Sequence, residues 1–384
     1  MKFSIPSYVV ECISMLKTAG YEAYCVGGAV RDMIIGKVEP SDFDVATNCP
    51  PDKVMTLFPH TVPTGLSHGT VTVLIDKTPI EVTTYRVDGG YTDTRHPDSV
   101  KFVGNIEEDL SRRDFTVNAI AYDGDDGIID LYGGLEDIKT RTLRTVRNPD
   151  ERFCEDALRI MRLFRFASQL GFSIEENTEK SALSKLASLE NISAERIFAE
   201  LKKMLIGENI KSAAAFFENG ALKPFFIPTC DISPLSKLPR DLLTRFCALM
   251  ILSGADAEKV CRTLKTDNHL RERSKKILEL SAPKDKTDIK TGLCICEAED
   301  YLRFLDIVST LQPVDTAWAK EELEKIIKHN EPYLIEHLKI GGRDLIKLGF
   351  TGEKIGETLE FLQREVIKNP ALNTKENLKK LITK

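Results

Sequence analysis

The chain has 384 residues, 42% of them hydrophobic and 29% charged, with a formal net charge of −6 and nine cysteines. That length predicts about two to four compact units, and the acidic balance excludes a uniformly basic nucleic-acid coat. Apolar runs such as Phe246 to Leu252 are too short to span a bilayer, and Pro6 and Glu11 interrupt the first apolar residues, so neither a membrane anchor nor a signal peptide is expected.

The first ~140 residues alternate helix-like and strand-like patterns. Ser7 to Ala19 predicts an amphipathic helix ending at Gly20, Ala23 to Val26 and Phe43 to Ala46 predict strands, and a helix starts between them near Ala29. Thr70 to Ile75 and Ile80 to Tyr85 predict a hairpin turning through Asp76-Lys77-Thr78-Pro79. From ~87 to ~105 the chain is polar and Gly-rich, a length usual for a functional lid or a disordered segment. After ~145 strand signals vanish and helical periodicity continues to the end, with breaks at Gly171, Gly207, Gly220, Pro224–Pro239, Pro283 and Gly341-Gly342. The expected fold class is therefore α+β: a small mixed-sheet head followed by an elongated all-α extension. The cysteines are scattered, and Cys294-Ile295-Cys296 lacks companion ligands, so reduced thiols in a cytoplasmic protein are expected.

Chemistry concentrates where Val26-Gly27-Gly28-Ala29-Val30-Arg31-Asp32 is followed by Ser41-Asp42-Phe43-Asp44-Val45. A glycine turn opening a helix lets backbone N–H groups approach an anion. GxGxxG and GxxxxGK[ST] are both absent, so this is neither a dinucleotide fingerprint nor a phosphate loop. Residues two apart on a strand share a face, roughly 6.6–7 Å apart, so Asp42 and Asp44 are candidate ligands of divalent metal. Two metals about 3.5–4 Å apart stabilise both oxygens of an in-line phosphoryl displacement, which points to nucleotidyl transfer. Glu81, between Ile80 and Val82, either completes a carboxylate triad or faces solvent. Arg112 and Arg113, beside Asp114, either meet a triphosphate and ribose or form salt bridges on a surface helix.

Residues 141–170 carry seven arginines and no lysine against four acids, and the last twenty residues add Lys368, Lys375, Lys379, Lys380 and Lys384. Local basic tracks on an acidic chain suit one phosphate-rich ligand. Glu155, Asp156, Arg159, Arg162 and Arg165 recur at helical spacings of three and four, as on one helix face. They suit an intrahelical ion-pair ladder. They also suit base recognition: an Asp acceptor beside an Arg donor matches the Watson–Crick edge shared by cytosine and adenine. Guanine and uracil reverse that order, and unmade buried contacts cost on the order of 1–3 kcal/mol each.

GGAVRD, SDFDVAT, RRDFTVNAIA, the Leu131 to Ile138 stretch and EDALRIMRLFRFA, in this order, resemble the class II tRNA nucleotidyltransferases, the CCA-adding enzymes. These are related to bacterial poly(A) polymerase within the polymerase-β superfamily. The motifs cover residues ~20–205, Ile192 to Ile197 is similar to the family's neck, and Gly342-Arg343-Asp344-Leu345 with Gly349 and Gly352 is similar to the tail of short bacterial members. Residues ~208–330 match only in helical character. Glu353 stands where relatives often carry proline.

The resemblance implies a nucleotidyltransferase head over 1–142, a base-recognising neck over 143–207, a helical body over 208–290 and a tRNA-binding tail over 291–384. It implies that Asp42 and Asp44 bind Mg²⁺, with Glu81 as third carboxylate. Gly28, Arg31 and Arg113 would contact the phosphates and sugar of the nucleotide. Asp156 and Arg159 would select the base, and Arg162 and Arg165 would line its site. The implied substrates are CTP, ATP and tRNA, held by acceptor arm and elbow through backbone and shape. The implied activity is template-independent CCA addition; addition of A alone, or of poly(A), is the alternative. CC-adding relatives lack the flexible ~87–105 segment, so its presence favours A incorporation.

Overall fold

Alternation of apolar and polar residues dictates the first sheet. The computed structural model describes residues 5–36, 42–88, 100–124 and 127–383, which divide into two units, Met1–Phe225 and Phe226–Lys384. The expected head and neck fall within the first unit, and the expected body straddles the division.

In the first unit, α1 (Ser7–Thr18) precedes β1 (Ala23–Val26), α2 (Gly28–Ile35), β2 (Asp44–Thr47), α3 (Pro51–Leu57), β3 (Thr61–Gly65), β4 (Thr70–Ile75) and β5 (Thr78–Thr84). After them come β6 (Arg86–Asp88), β7 (Val100–Phe102), α4 (Ile106–Ser111), β8 (Ile120–Tyr122), β9 (Ile128–Asp130) and α5 (Gly134–Lys139). Seven of these strands form one sheet in the order β3-β4-β5-β2-β1-β8-β9. Its pairings are antiparallel except β2 with β5, which run parallel. On β4 and β5, Val71, Val73, Ile75, Ile80 and Val82 are buried, so Glu81 points to the other face by the two-residue period of a strand.

The hairpin turns more tightly than expected. Asp76 and Lys77 both take positive φ, 49° and 66°, and Ile75 pairs with Thr78. That is the two-residue loop whose twist matches the strands it joins, so Thr78 and Pro79 belong to β5. The segment expected as a ~87–105 loop also differs at its ends: Arg86, Val87 and Asp88 pair with Phe102, Lys101 and Val100. The loop's middle lies outside the described residues.

Beyond the head, β10 (Thr142–Leu143) pairs in parallel with β11 (Ser173–Ile174). Two-residue strands are too short for periodicity to reveal, and strand signals were not expected past ~145. The helices here are α6 (Pro149–Glu155), α7 (Leu158–Leu170), α8 (Glu176–Ser184), α9 (Ala194–Leu205) and α10 (Ala214–Glu218). Helix α7 buries Ile160, Leu163 and Phe164, and α9 buries Ile197, Leu201 and Met204. The two meet where Ser168 Oγ donates to the Met204 carbonyl at 2.7 Å. A Cβ on Gly207 would stand 2.0 Å from that hydroxyl, so only glycine fits there.

The expectation of one helix face carrying Glu155 through Arg165 is corrected. Asp156 is extended, with φ −142° and ψ 105°, and separates α6 from α7. Its Oδ1 accepts from the Leu158 backbone N–H at 2.9 Å. A short acid that satisfies backbone donors outside the helix ends helices in this way, while three-and-four spacing continues through the break.

The second unit is all-α among its described residues. Its longer helices span Leu242–Ser253, Asn268–Leu278, Ala298–Leu311, Ala317–Lys328 and Glu353–Lys368. Phe246, Leu249, Tyr301 and Leu305 are buried in it, and Ile340, Leu345, Leu362, Val366 and Leu378 form a separate cluster further along. Buried Lys290 is paired with Glu331 at 2.8 Å.

Candidate active site

Three sequence features converge on a cavity of about 530 Å³ in the first unit, a size within the usual range of small-molecule sites. The first is the turn before α2. Gly27 holds φ 76° and ψ −137°, a conformation costly for any residue with a Cβ. A Cβ there would lie 3.2 Å from Arg113 Nη1 and 3.8 Å from Asp44 Oδ2. Glycine at 27 therefore lets a guanidinium, a carboxylate and a helix N-terminus crowd together.

The second is the carboxylate edge of the sheet. Asp44 opens β2 and pairs in register with Glu81 on β5. Asp42 lies just before the strand, which begins one residue later than expected. Phe43 and Val45 are buried while Asp42 and Asp44 keep surface exposure, the alternation their spacing predicts, although protein encloses the Asp44 carboxyl itself. The cavity takes in Asp44 and Glu81; Asp42 is outside its lining. Protein around the Asp44 carboxyl, then Glu81, with a smaller push from Asp42, raises it to about 6 against the pull of Arg113. Acids crowded this way are short of positive charge, and a divalent cation would supply it. Among the described residues no three His, Cys, Asp or Glu side chains stand in position to hold a metal ion.

The third is an arginine wall. Seven arginines line the cavity against four carboxylates, a positive field on a chain whose net charge is −6. Buried Asp109 holds Arg112 at 2.6 Å and Arg113 at 3.1 Å; its burial opposes ionisation, and the two arginines overcome that and lower its pKa. Arg113 Nε is buried with no hydrogen-bond partner among the described residues. Arg162 Nε donates to Asp114 at 2.7 Å. Burial pushes the Asp114 carboxyl up, but Arg162 and Asn118 outweigh it and hold it down at about 2. Arg165 Nε donates to Glu200 on α9 at 2.7 Å; burial brings its guanidinium down to about 10, with Glu200 opposing.

Asp156, at the helix break, and Arg159, in the first turn of α7, both reach the cavity. Asp156 Oδ2 receives Arg196 Nη2 at 2.9 Å. Arg159 Nη1 donates to Glu155 at 2.5 Å and to the Arg152 carbonyl at 3.0 Å, and Nη2 to the Arg112 carbonyl at 3.0 Å. Ion pairing and cavity lining thus coexist. The cavity brings together Gly28, Arg31, Asp44, Glu81, Arg113, Asp156, Arg159, Arg162 and Arg165.

Sequence reasoning gave no site role to Asp114 or Asn118 and read Phe166 as packing. The guanidinium carbons of Arg31, Arg162 and Arg165 lie 5.0, 5.3 and 3.5 Å from the Phe166 ring centre. A phenylalanine set among arginines at positions 162 and 165 was the available signal.

A mixed sheet with paired acids on adjacent strands, facing a glycine turn and an arginine-rich helix, defines a nucleotidyltransferase head joined to helices. Family comparison agrees: residues 23–144 match the poly A polymerase head domain, 171–231 the "Probable RNA and SrmB- binding site of polymerase A", and 240–382 tRNA nucleotidyltransferase domain 2. The CCA-adding enzyme of Lactobacillus helveticus is 36% identical over 397 residues, covering 98% of each chain. That of Geobacillus thermodenitrificans is 52% identical over 195 residues, 51% of this chain and 48% of its own. The Bacillus stearothermophilus CCA-adding enzyme, solved in complex with CTP, superposes with a TM-score of 0.84 at 31% identity, over 98% of this chain and 97% of that one. The chain belongs to the CCA-adding enzyme family.

Proposed function

We propose that this chain adds CCA to the 3′ end of tRNA from CTP and ATP without a nucleic-acid template. The observation that carries the reading is a single cavity containing both the Asp44–Glu81 edge and the Asp156–Arg159 pair. Reaction chemistry and base recognition are then within one nucleotide of each other.

Gly28, Arg31 and Arg113 hold the triphosphate and sugar, where the turn before α2 offers free N–H groups. Asp156 accepts from the exocyclic amine of cytosine or adenine, and Arg159 donates to the adjacent ring nitrogen. The clamp on Arg159 fixes the direction of that donor before the base arrives, which lowers the entropic cost of selection. Arg162 and Arg165 extend the positive wall.

Asp42, Asp44 and Glu81 fit a divalent cation, and we propose Mg²⁺. When bound it lowers the pKa of the primer 3′-hydroxyl and stabilises charge on the leaving phosphate. The protein contributes the rest by positioning the reactants. A head over 1–142, neck over 143–207, body over 208–290 and tail over 291–384 is the working division, the last two holding the acceptor arm and elbow of tRNA. Among the described residues no helix is long and apolar enough to cross a membrane, and all nine cysteines are unpaired. Unpaired thiols support action in the reducing cytoplasm.

The test is incorporation of each of the four nucleoside triphosphates, offered singly with Mg²⁺, into a tRNA transcript lacking CCA. The reading predicts C addition from CTP alone and no U or G; incorporation of UTP or GTP at comparable rates contradicts it.

A further inference from the structure

One buried side chain joins Arg31 to the Asp114–Arg162 pair. Asn118 is 5% exposed. Its Oδ1 accepts from Arg31 Nη1 at 2.6 Å, and its Nδ2 donates to Asp114 Oδ1 at 3.1 Å. The other Asp114 oxygen takes Arg162 Nε at 2.7 Å. The opposite edge of Arg31 is held by Asp32, with Nε and Nη2 donating at 2.9 and 3.0 Å. A continuous chain therefore runs Arg31–Asn118–Asp114–Arg162, from the start of α2 to the middle of α7. Arg31 and Arg162 also share the Phe166 ring as a stacking surface.

We propose that Asn118 is a positioning residue for the incoming nucleoside triphosphate, registering Arg31 against Asp114 and Arg162. The chemistry of an amide explains the choice. The site needs an acceptor toward Arg31 and a donor toward Asp114, and only a neutral carboxamide offers both from one short side chain. A carboxylate at 118 would set a second negative charge on Arg31 beside Asp32 and face Asp114 with like charge. A methyl offers neither group, and a hydroxyl lacks the two separate atoms with which the amide meets Arg31 and Asp114. Because the amide carries no net charge, it holds the guanidinium without adding to the negative charge that Asp32 already sets against it.

The inference rests on the proposed phosphate role of Arg31, and the test separates the two. Steady-state kinetics with CTP on a CCA-less tRNA are measured for the wild type, R31A, N118A, N118D and the R31A/N118A double variant, with melting curves for each. We expect R31A and N118A each to raise the nucleotide KM about tenfold. The tRNA KM should stay unchanged and kcat should fall less than about threefold. The double variant should be no worse than R31A alone, because Asn118 acts through Arg31. N118D, of the same shape, should raise the nucleotide KM as much as N118A; if N118A folds poorly, N118D carries the comparison. A raised KM in R31A with normal nucleotide KM in both Asn118 variants overturns the proposal, as does full additivity in the double variant. Normal nucleotide KM in R31A overturns the reading on which it rests.

Discussion

Asp44 and Glu81 stand opposite each other on the only two strands of the seven-stranded sheet that the described residues pair in parallel. Crowding of these acids has opposite consequences for folding and for chemistry. The folded protein disfavours the charged Asp44 carboxyl, holding it up at about 6, so removing that charge relieves the folded state at neutral pH. We expect Asp44→Asn to abolish nucleotidyl transfer, by about 10³-fold or more, while leaving tRNA binding intact and the melting temperature unchanged or higher. Asp42→Ala should also abolish transfer. A transfer assay beside a thermal melt checks both; normal rates in either variant remove the metal assignment.

Arg159, proposed to select the base, is held by Glu155 and two backbone carbonyls. Arg159→Ala should relax discrimination against UTP and GTP by about tenfold to a hundredfold, since each lost buried contact costs on the order of 1–3 kcal/mol. Competition assays with paired nucleotides measure it. Unchanged selectivity would reduce the α6–α7 arginines to structural ion pairs.

Asp114 gives the first unit a stability component that is lost in acid. Its carboxyl moves from 3.8 to about 2 in the fold. Above pH 3.8 both states are ionised and the full contribution, about 2 kcal/mol, is present. Lowering the pH through 2 protonates the folded form, and the contribution disappears. The stability difference between wild type and Asp114→Asn should therefore shrink between about pH 4 and pH 2. Denaturant titrations across that window test it, and a difference independent of pH contradicts it.

Gly27 is the tightest backbone constraint beside the carboxylates. Gly27→Ala adds a Cβ at positive φ and presses on Arg113 Nη1, which should cost about 1–2 kcal/mol of stability and raise the nucleotide KM. A denaturant melt with a KM measurement would show both; full stability and an unchanged KM would mean the turn tolerates a side chain.

These residues also show how far the sequence could be read. The shared face of Asp42 and Asp44 was legible because a strand's two-residue period is local. Glu81 stayed ambiguous, since its partnership with Asp44 requires a parallel pairing that brings residues from distant parts of the chain together. Asp156 misled in one respect, because side-chain spacing continues where the backbone of the helix does not. Asn118 was hidden for a different reason. Its contacts are defined by Arg31 and Asp114, and a single residue's identity carries no trace of such partners. The middle of the ~87–105 segment lies outside the described residues, so its bearing on A addition rests with activity measurements.

The most direct measurement uses three tRNA transcripts, ending before CCA, after the first C, and after CC, each offered CTP and ATP singly and together with Mg²⁺. Products are sized on a sequencing gel. The account predicts that all three are extended to a common CCA end and then stop. Growth only from the CC-ended transcript, or A addition without limit, would contradict it.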